Sequence, residues 1–163
     1  MRSLVLVGAL VLAGCANPWN IADVAPGTPR DLVVARAGQP ARVMPLAGGG
    51  ERLQYTLQPQ GRYAFMVDVD PAGRVVGARQ VLTQTNFERI EPGRWTRDDV
   101  EREFGPPAMI EHVASFQGDV LTYRWADRNE PMFYWVYVDP RGVVQRAHQG
   151  MEFINSPRDS GRD

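Results

Sequence analysis

The phrase "VDVDPAGRVV" at residues 67–76 returns as "VYVDPRGVVQ" at 136–145. Aligning "TPRDLVVARAGQP" (28–40) with "WTRDDVEREFGPP" (95–107) matches Arg30 with Arg97, Asp31 with Asp98, Val33 with Val100, Gly38 with Gly105 and Pro40 with Pro107, a spacing of 67 residues. Tyr55 matches Tyr123 at 68, and Asp70, Pro71, Gly73 and Val75 match Asp139, Pro140, Gly142 and Val144 at 69. A period this long exceeds the units of solenoids, and a drift of one or two residues is what altered loops leave behind. The chain is constrained to two copies of one small domain.

Each copy spells the same elements. Thr96 offers an N-cap acceptor, Asp99 a carboxylate in the first turn, and Val100 and Phe104 share one face before Gly105 and Pro106 end a short helix. In the first copy Thr28 is the expected cap, Pro29 the first helical residue, Val33 and Ala37 the apolar stripe, and Gly38 the stop. "ERLQYTLQ" (51–58) alternates Leu53, Tyr55 and Leu57 with Arg52, Gln54, Thr56 and Gln58, the pattern of a half-buried strand. In "RYAFMVDVD" Tyr63, Phe65, Val67 and Val69 face one way, and Ala64, Met66 and Asp68 the other.

The repeated phrase then explains itself. Asp70, Pro71, Ala72 and Gly73, and again Asp139, Pro140, Arg141 and Gly142, suit a type I turn closing a hairpin: Asp bonds its own backbone, Pro sets φ, and Gly takes the left-handed position. Asp68, Asp70 and Gly73 also fit positions 1, 3 and 6 of a calcium loop. Ala72 at position 5, Arg79 at position 12 and Tyr137 in place of Asp68 in the second copy reject that reading.

The start of the chain reads as a processing segment. "MRSLVLVGALVLAGCA" has Arg2, an apolar run from Leu4 to Leu12 and small residues before Cys15, too short to span a bilayer. Leu12, Ala13, Gly14 and Cys15 resemble the lipobox of bacterial lipoproteins, in which cleavage precedes the cysteine and the thiol receives a diacylglycerol. Stable anchoring by acyl chains follows, at about 0.8 kcal/mol per buried methylene. Cys15 is the single cysteine, so an internal disulfide is excluded. In Gram-negative lipoproteins an Asp after the lipidated cysteine retains the protein at the inner membrane. Ala16 stands there, and the resemblance implies the periplasmic face of the outer membrane.

Composition removes several function classes. Eighteen basic and nineteen acidic residues are mixed along 163, with no basic stripe, so nucleic acid is not an expected partner. Every basic residue is Arg, which excludes a phosphate-loop lysine, a Schiff base and a lysine general base. His112 and His148 read as surface or packed histidines, "AGGGER" (47–52) precedes a strand instead of opening a helix, and no nucleophile elbow is present. No catalytic residue, metal or cofactor is expected.

The ordered set Gly93, Thr96, Asp99, Val100, Gly105, Pro107, Tyr123, Val136, Asp139, Gly142 and Val144 resembles the small outer-membrane lipoproteins of the BamE (SmpA/OmlA) family, and the first copy repeats it less completely. The resemblance implies helices on an antiparallel sheet and an accessory role in the machinery that inserts β-barrels into the outer membrane. This chain carries two copies and inserts Arg94 and Trp95 between Gly93 and Thr96. A tandem of such units is also similar to the β-lactamase inhibitory protein, which grips its target with aromatic residues of an open sheet face.

Aligned on Val136 and Val138, the core-facing set of the second copy is Met132, Tyr134, Val136 and Val138. Phe133, Trp135 and Tyr137 are left on the opposite face, where the first copy has Ala64, Met66 and Asp68. Two accounts of this stripe are open: burial between the two copies, since a unit of about 60 residues is marginal alone, or a patch that binds a partner protein.

The expected organisation is α+β: signal peptide 1–14, lipidated Cys15 and tether 15–27, first repeat 28–83, linker 84–95, second repeat 96–154 and a disordered tail 155–163. The expected function is a non-enzymatic, lipid-anchored protein binding other envelope proteins, with the barrel-assembly machinery as the family's partner. The alternatives are an inhibitor or sensor of a soluble periplasmic protein and a structural lipoprotein without a dedicated partner.

Overall fold

A computed structural model describes residues 18–152; Cys15, the signal peptide and the tail 155–163 lie outside the described residues. The architecture is α+β with two four-stranded antiparallel sheets, ordered β1-β2-β3-β4 and β5-β6-β7-β8. In the first repeat α1 (Arg30–Ala37) precedes β1 (Arg42–Pro45), β2 (Glu51–Thr56), β3 (Ala64–Val69) and β4 (Val75–Gln80). In the second, α3 (Arg97–Phe104) precedes β5 (Met109–Glu111), β6 (Asp119–Asp127), β7 (Glu130–Val138) and β8 (Val144–Met151). A short helix α2 (Gln84–Phe87) lies between them.

The duplication extends to individual bonds. Tyr55 Oη donates to the Gly38 carbonyl at 3.0 Å and Tyr123 Oη to the Gly105 carbonyl at 2.8 Å, so each central strand holds the end of its own helix. Arg30 pairs with Glu51 as Arg97 pairs with Asp119. In both hairpins the Asp carbonyl accepts from the Gly amide (2.9 Å from Gly73, 2.8 Å from Gly142), and these glycines have φ of 76° and 83°, a region that disfavours a side chain.

The helices start at matching positions with different caps. Thr96 and Asp99 form the reciprocal capping box. In the first repeat Pro29, not Thr28, is the N-cap, and Thr28 Oγ1 donates to the Ala25 carbonyl. Backbone pairing places both caps alike: Gly27 and Val75, Val75 and Thr28, and Arg30 and Gly73 bond amide to carbonyl at 2.7–2.9 Å, as do Gly93 and Val144, Val144 and Trp95, and Arg97 and Gly142, so Pro29 and Thr96 hold equivalent positions against their hairpin turns.

Two apolar cores result. One packs Val33 and Ala37 of α1 against Leu53, Tyr55, Phe65, Val67, Val69 and Val75, together with Ile21. Residues from Pro18 on, assigned to the tether, form a 3-10 turn (Pro18–Ile21) whose Trp19 ring lies 4.6 Å from Tyr63 and 5.7 Å from Phe65. The other core gathers Val100, Phe104, Leu121, Tyr123, Trp125, Tyr134, Val136, Val138 and Val144 with Ala64, Met66, Val81, Leu82, Phe87 and Ile90.

That second list corrects the expectation of half-buried strands. Arg52 is 5% exposed and Gln54 0%, and Ala64 and Met66 are 0%, so both faces of the first sheet are covered. The end of α3 lies on it. Gln54 Nε2 donates to the carbonyls of Glu101 (2.9 Å) and Arg102 (3.1 Å), and Arg52 Nη1 to Arg102 (3.2 Å). Carbonyls in the last turn of a helix lack intrahelical partners, and a cation beside them is favoured by the helix dipole. The polar residues of β2 are the receptors for a helix end.

Candidate binding face on the second repeat

Among the described residues no helix lies on the equivalent face of the second sheet. Positions matching Arg52 and Gln54 are Val120 and Thr122, and those matching Ala64, Met66 and Asp68 are Phe133, Trp135 and Tyr137. At those two positions a helix end would find neither the guanidinium nor the amide that α3 meets on the first sheet. The repeats pack together through the Ala64 and Met66 face of the first sheet and the Tyr134 and Val136 face of the second; of the Phe133, Trp135, Tyr137 stripe on the other side, Phe133 meets the first repeat, at Pro59 and Gln60.

Strand alternation places these three side chains together, and their neighbours are set by register. Glu111, Val120, Tyr137 and Arg146 form one row across the four strands; Met109, Thr122, Trp135 and His148 form the next; Arg124, Phe133 and Gly150 follow. The rings make a continuous ladder. Phe133 and Trp135 centroids are 5.7 Å apart, His148 stands 5.3 Å from Trp135 and 5.4 Å from Tyr137, and Phe116 meets Tyr137 edge-on at 5.2 Å. The Arg146 guanidinium lies 3.9 Å above the Tyr137 ring, a cation–π contact. Thr122 Oγ1 donates to Glu111 at 2.7 Å. Phe133, Trp135 and Tyr137 are each half-buried by one another and their neighbours, while Met109, Glu111, Arg146 and His148 are exposed.

Gly150 sets the attitude of the indole. A Cβ there would come within 2.6 Å of Trp135 Cζ3 and 2.8 Å of Cη2, so Trp135 lies flat over β8 because residue 150 has no side chain. At the Phe133 end, a recess of about 390 Å³ is lined by Pro59, Gln60, Ala108, Met109, Arg124 and Glu152 as well as Phe133. Arg124 pairs there with Glu152, which also meets Arg62 at 3.0 Å. Burial would raise the Glu152 carboxyl, but the hydrogen bonds from Arg124 and Arg62 hold it below the usual carboxylate range.

No family model matches the chain, and no curated protein matches it. Among solved structures, similarity extends to one described as the osmotically inducible lipoprotein OsmE, 28% identical over 36% of this chain and 69% of that one, at a TM-score of 0.32. A DUF4309 family protein (YjgB) from Bacillus subtilis is 15% identical over 77% of this chain and 79% of its own, at 0.30. An extracellular protein containing an SCP domain from Bacillus anthracis is 15% identical over 92% of this chain and 50% of its own, at 0.31.

Four members of the face escape a reading by strand alternation alone. His148 and Arg146 sit on β8, whose sequence "VQRAHQGM" has few apolar residues to mark an inside. Met109 and Glu111 sit on the three-residue β5, too short to show a period. The hairpin turn at Asp139–Gly142 sets Val138 against Val144, and a bulge just beyond it shifts the register by one residue, so that Tyr137 pairs with Arg146 and Trp135 with His148.

One substitution tests the geometry directly. Gly150→Ala is expected to displace the Trp135 ring while the fold persists, read as a changed near-ultraviolet circular dichroism signal with an unchanged far-ultraviolet spectrum. An unaltered near-ultraviolet signal would mean that the indole does not rest on Gly150.

Proposed function

We propose that this is a non-enzymatic envelope lipoprotein, anchored through Cys15 at the periplasmic face of the outer membrane, that binds another protein through the open face of its second sheet. The observation that carries the reading is the asymmetry between the repeats. The first sheet is furnished with Arg52 and Gln54 and covered by α3; the second carries Phe133, Trp135 and Tyr137 at the matching face, with no helix over it among the described residues. Aromatic and Arg side chains on an exposed sheet are the residue types that dominate binding energy at protein interfaces. The finer reading, an accessory or scaffold role in outer-membrane protein assembly, is the one that the BamE resemblance implies.

The test is photocrosslinking in intact envelopes, with a photoreactive residue at Phe133 and a control at the exposed Asp98 of α3. Specific capture from position 133 is expected, and Trp135→Ala is expected to abolish it while lowering the melting temperature by no more than a few degrees. Equal capture from both positions, or unfolding of the Trp135 variant, would overturn the reading.

A further inference from the structure

Resting on that reading of the face, we infer that its partner is a second copy of this chain, packed sheet on sheet about a two-fold axis that runs parallel to the strands between β6 and β7. The row Glu111, Val120, Tyr137, Arg146 spans the sheet from one edge strand to the other, with a carboxylate at its β5 end and a guanidinium at its β8 end. Three strand spacings separate them, about 14 Å. Neither is consumed inside the chain. Among the described residues Arg146 lies over Tyr137 without an ion pair, and Glu111 accepts only from Thr122 Oγ1.

A two-fold axis along the strands turns the sheet over and exchanges its edges, so β5 of one copy faces β8 of the other. Glu111 then stands opposite the second copy's Arg146, and Arg146 opposite its Glu111. The same operation sets Tyr137 against the row of Val120, Trp135 against that of Thr122, and exposed Met109 over His148; Val120 and Thr122 are already buried at 2% and 0% exposure, so the contact is made by the rings, Met109 and His148. An apolar centre flanked by two charge pairs at the rim is the ordinary anatomy of an interface, and a self-complementary patch is what two-fold symmetry requires. Antiparallel sheets pack face to face about 10 Å apart, the space these rings would fill.

The symmetry gives a sharp test. Two differently tagged forms of the full chain are co-expressed, captured through one tag and probed for the other. In Glu111→Arg both rim pairs become Arg against Arg, and in Arg146→Glu both become carboxylate against carboxylate. Each variant is therefore expected to lose self-capture by about tenfold or more, since like charges juxtaposed at an interface are strongly disfavoured. Co-expressing Glu111→Arg with Arg146→Glu restores both pairs in the mixed dimer, and capture is expected to return to the wild-type level. Both residues are exposed, so circular dichroism of each variant should match the parent.

Self-capture that ignores these charges, or a mixed pair no better than either variant alone, overturns the two-fold dimer. If position 133 then still crosslinks a different protein, the proposed function stands and only the identity of the partner falls. If position 133 crosslinks nothing, both fall.

Discussion

Phe87→Ala is expected to lower the unfolding free energy by about 4 kcal/mol, the cost of deleting a fully buried aromatic ring that its surroundings cannot refill. Phe87 is 0% exposed. Its ring stacks on Tyr134 at 4.1 Å and 6°, and lies 4.8 Å from Phe104, 5.7 Å from Trp125 and 6.1 Å from Tyr123. Its carbonyl also accepts from Tyr134 Oη at 3.3 Å. Because the same core includes Ala64 and Met66 of the first sheet, the loss should destabilise both repeats together. The measurement is urea unfolding followed by far-ultraviolet circular dichroism. One transition displaced to lower urea is expected, with the melting temperature down on the order of 15 °C. A loss below about 1 kcal/mol would mean that the ring is not packed as described.

Phe87 also marks where sequence reasoning stops. The period of the repeat places 84–95 between two copies, and a stretch between copies reads as a linker. In the fold that stretch begins with α2, capped by Thr83, and delivers Phe87 and Ile90 into the second core. Nothing local distinguishes a joining segment from one that plugs a core, because the difference lies in Tyr134 and Trp125, about forty residues away. The helix caps, stripes and hairpin turns were legible because each depends on neighbours within a few residues: Thr96 with Asp99, Val100 with Phe104, Asp139 with Gly142.

The faces of β2 and β3 were misjudged for the same physical reason. Arg52 and Gln54 alternate with Leu53 and Tyr55, and polar alternation normally means water. Here the polar side chains meet carbonyls of α3 that lie 47 to 50 residues further along the chain. The aromatic stripe was legible as a face, and that α3 rests on the first sheet and not on this stripe follows from which sheet carries the helix receptors. Arg52 and Gln54 have no counterparts at Val120 and Thr122, a comparison that can be made only once α3 is seen resting on the first pair.

Arg52→Ala is the second substitution with a large expected cost, about 3 kcal/mol, because it strands buried charge instead of merely removing a contact. The guanidinium donates to Asp68 at 2.6 and 3.0 Å and to Glu103 at 2.7 Å, joining the first sheet to α3 of the second repeat. Its side chain is 7% exposed, against 18% for Asp68 and 23% for Glu103. Arg79 remains beside Asp68 at 3.0 Å, which keeps the loss below that of a wholly unpaired carboxylate. Replacing both members, Arg52→Met with Asp68→Leu, is expected to recover most of the loss, since apolar residues of similar size often substitute for a buried pair without penalty.

The pH dependence separates this cluster from simple packing. Burial alone would raise the Asp68 carboxyl, but hydrogen bonds from Arg52 and Arg79 outweigh it and hold the group below its ordinary value of 3.8. A carboxyl depressed in the folded state contributes stability that is fully present above its unfolded value and lost as pH falls through the folded one. Wild-type stability should therefore decline below about pH 4, with Glu101, depressed by Arg97 and Arg42 against its own burial, adding to the decline. In the double variant that combines Arg52→Met with Asp68→Leu the Asp68 contribution is gone, so the curve of urea midpoint against pH should flatten between about pH 5 and pH 2. A double variant as acid-sensitive as the wild type would show that the decline comes from other carboxyls, Glu101 among them, and not from Asp68.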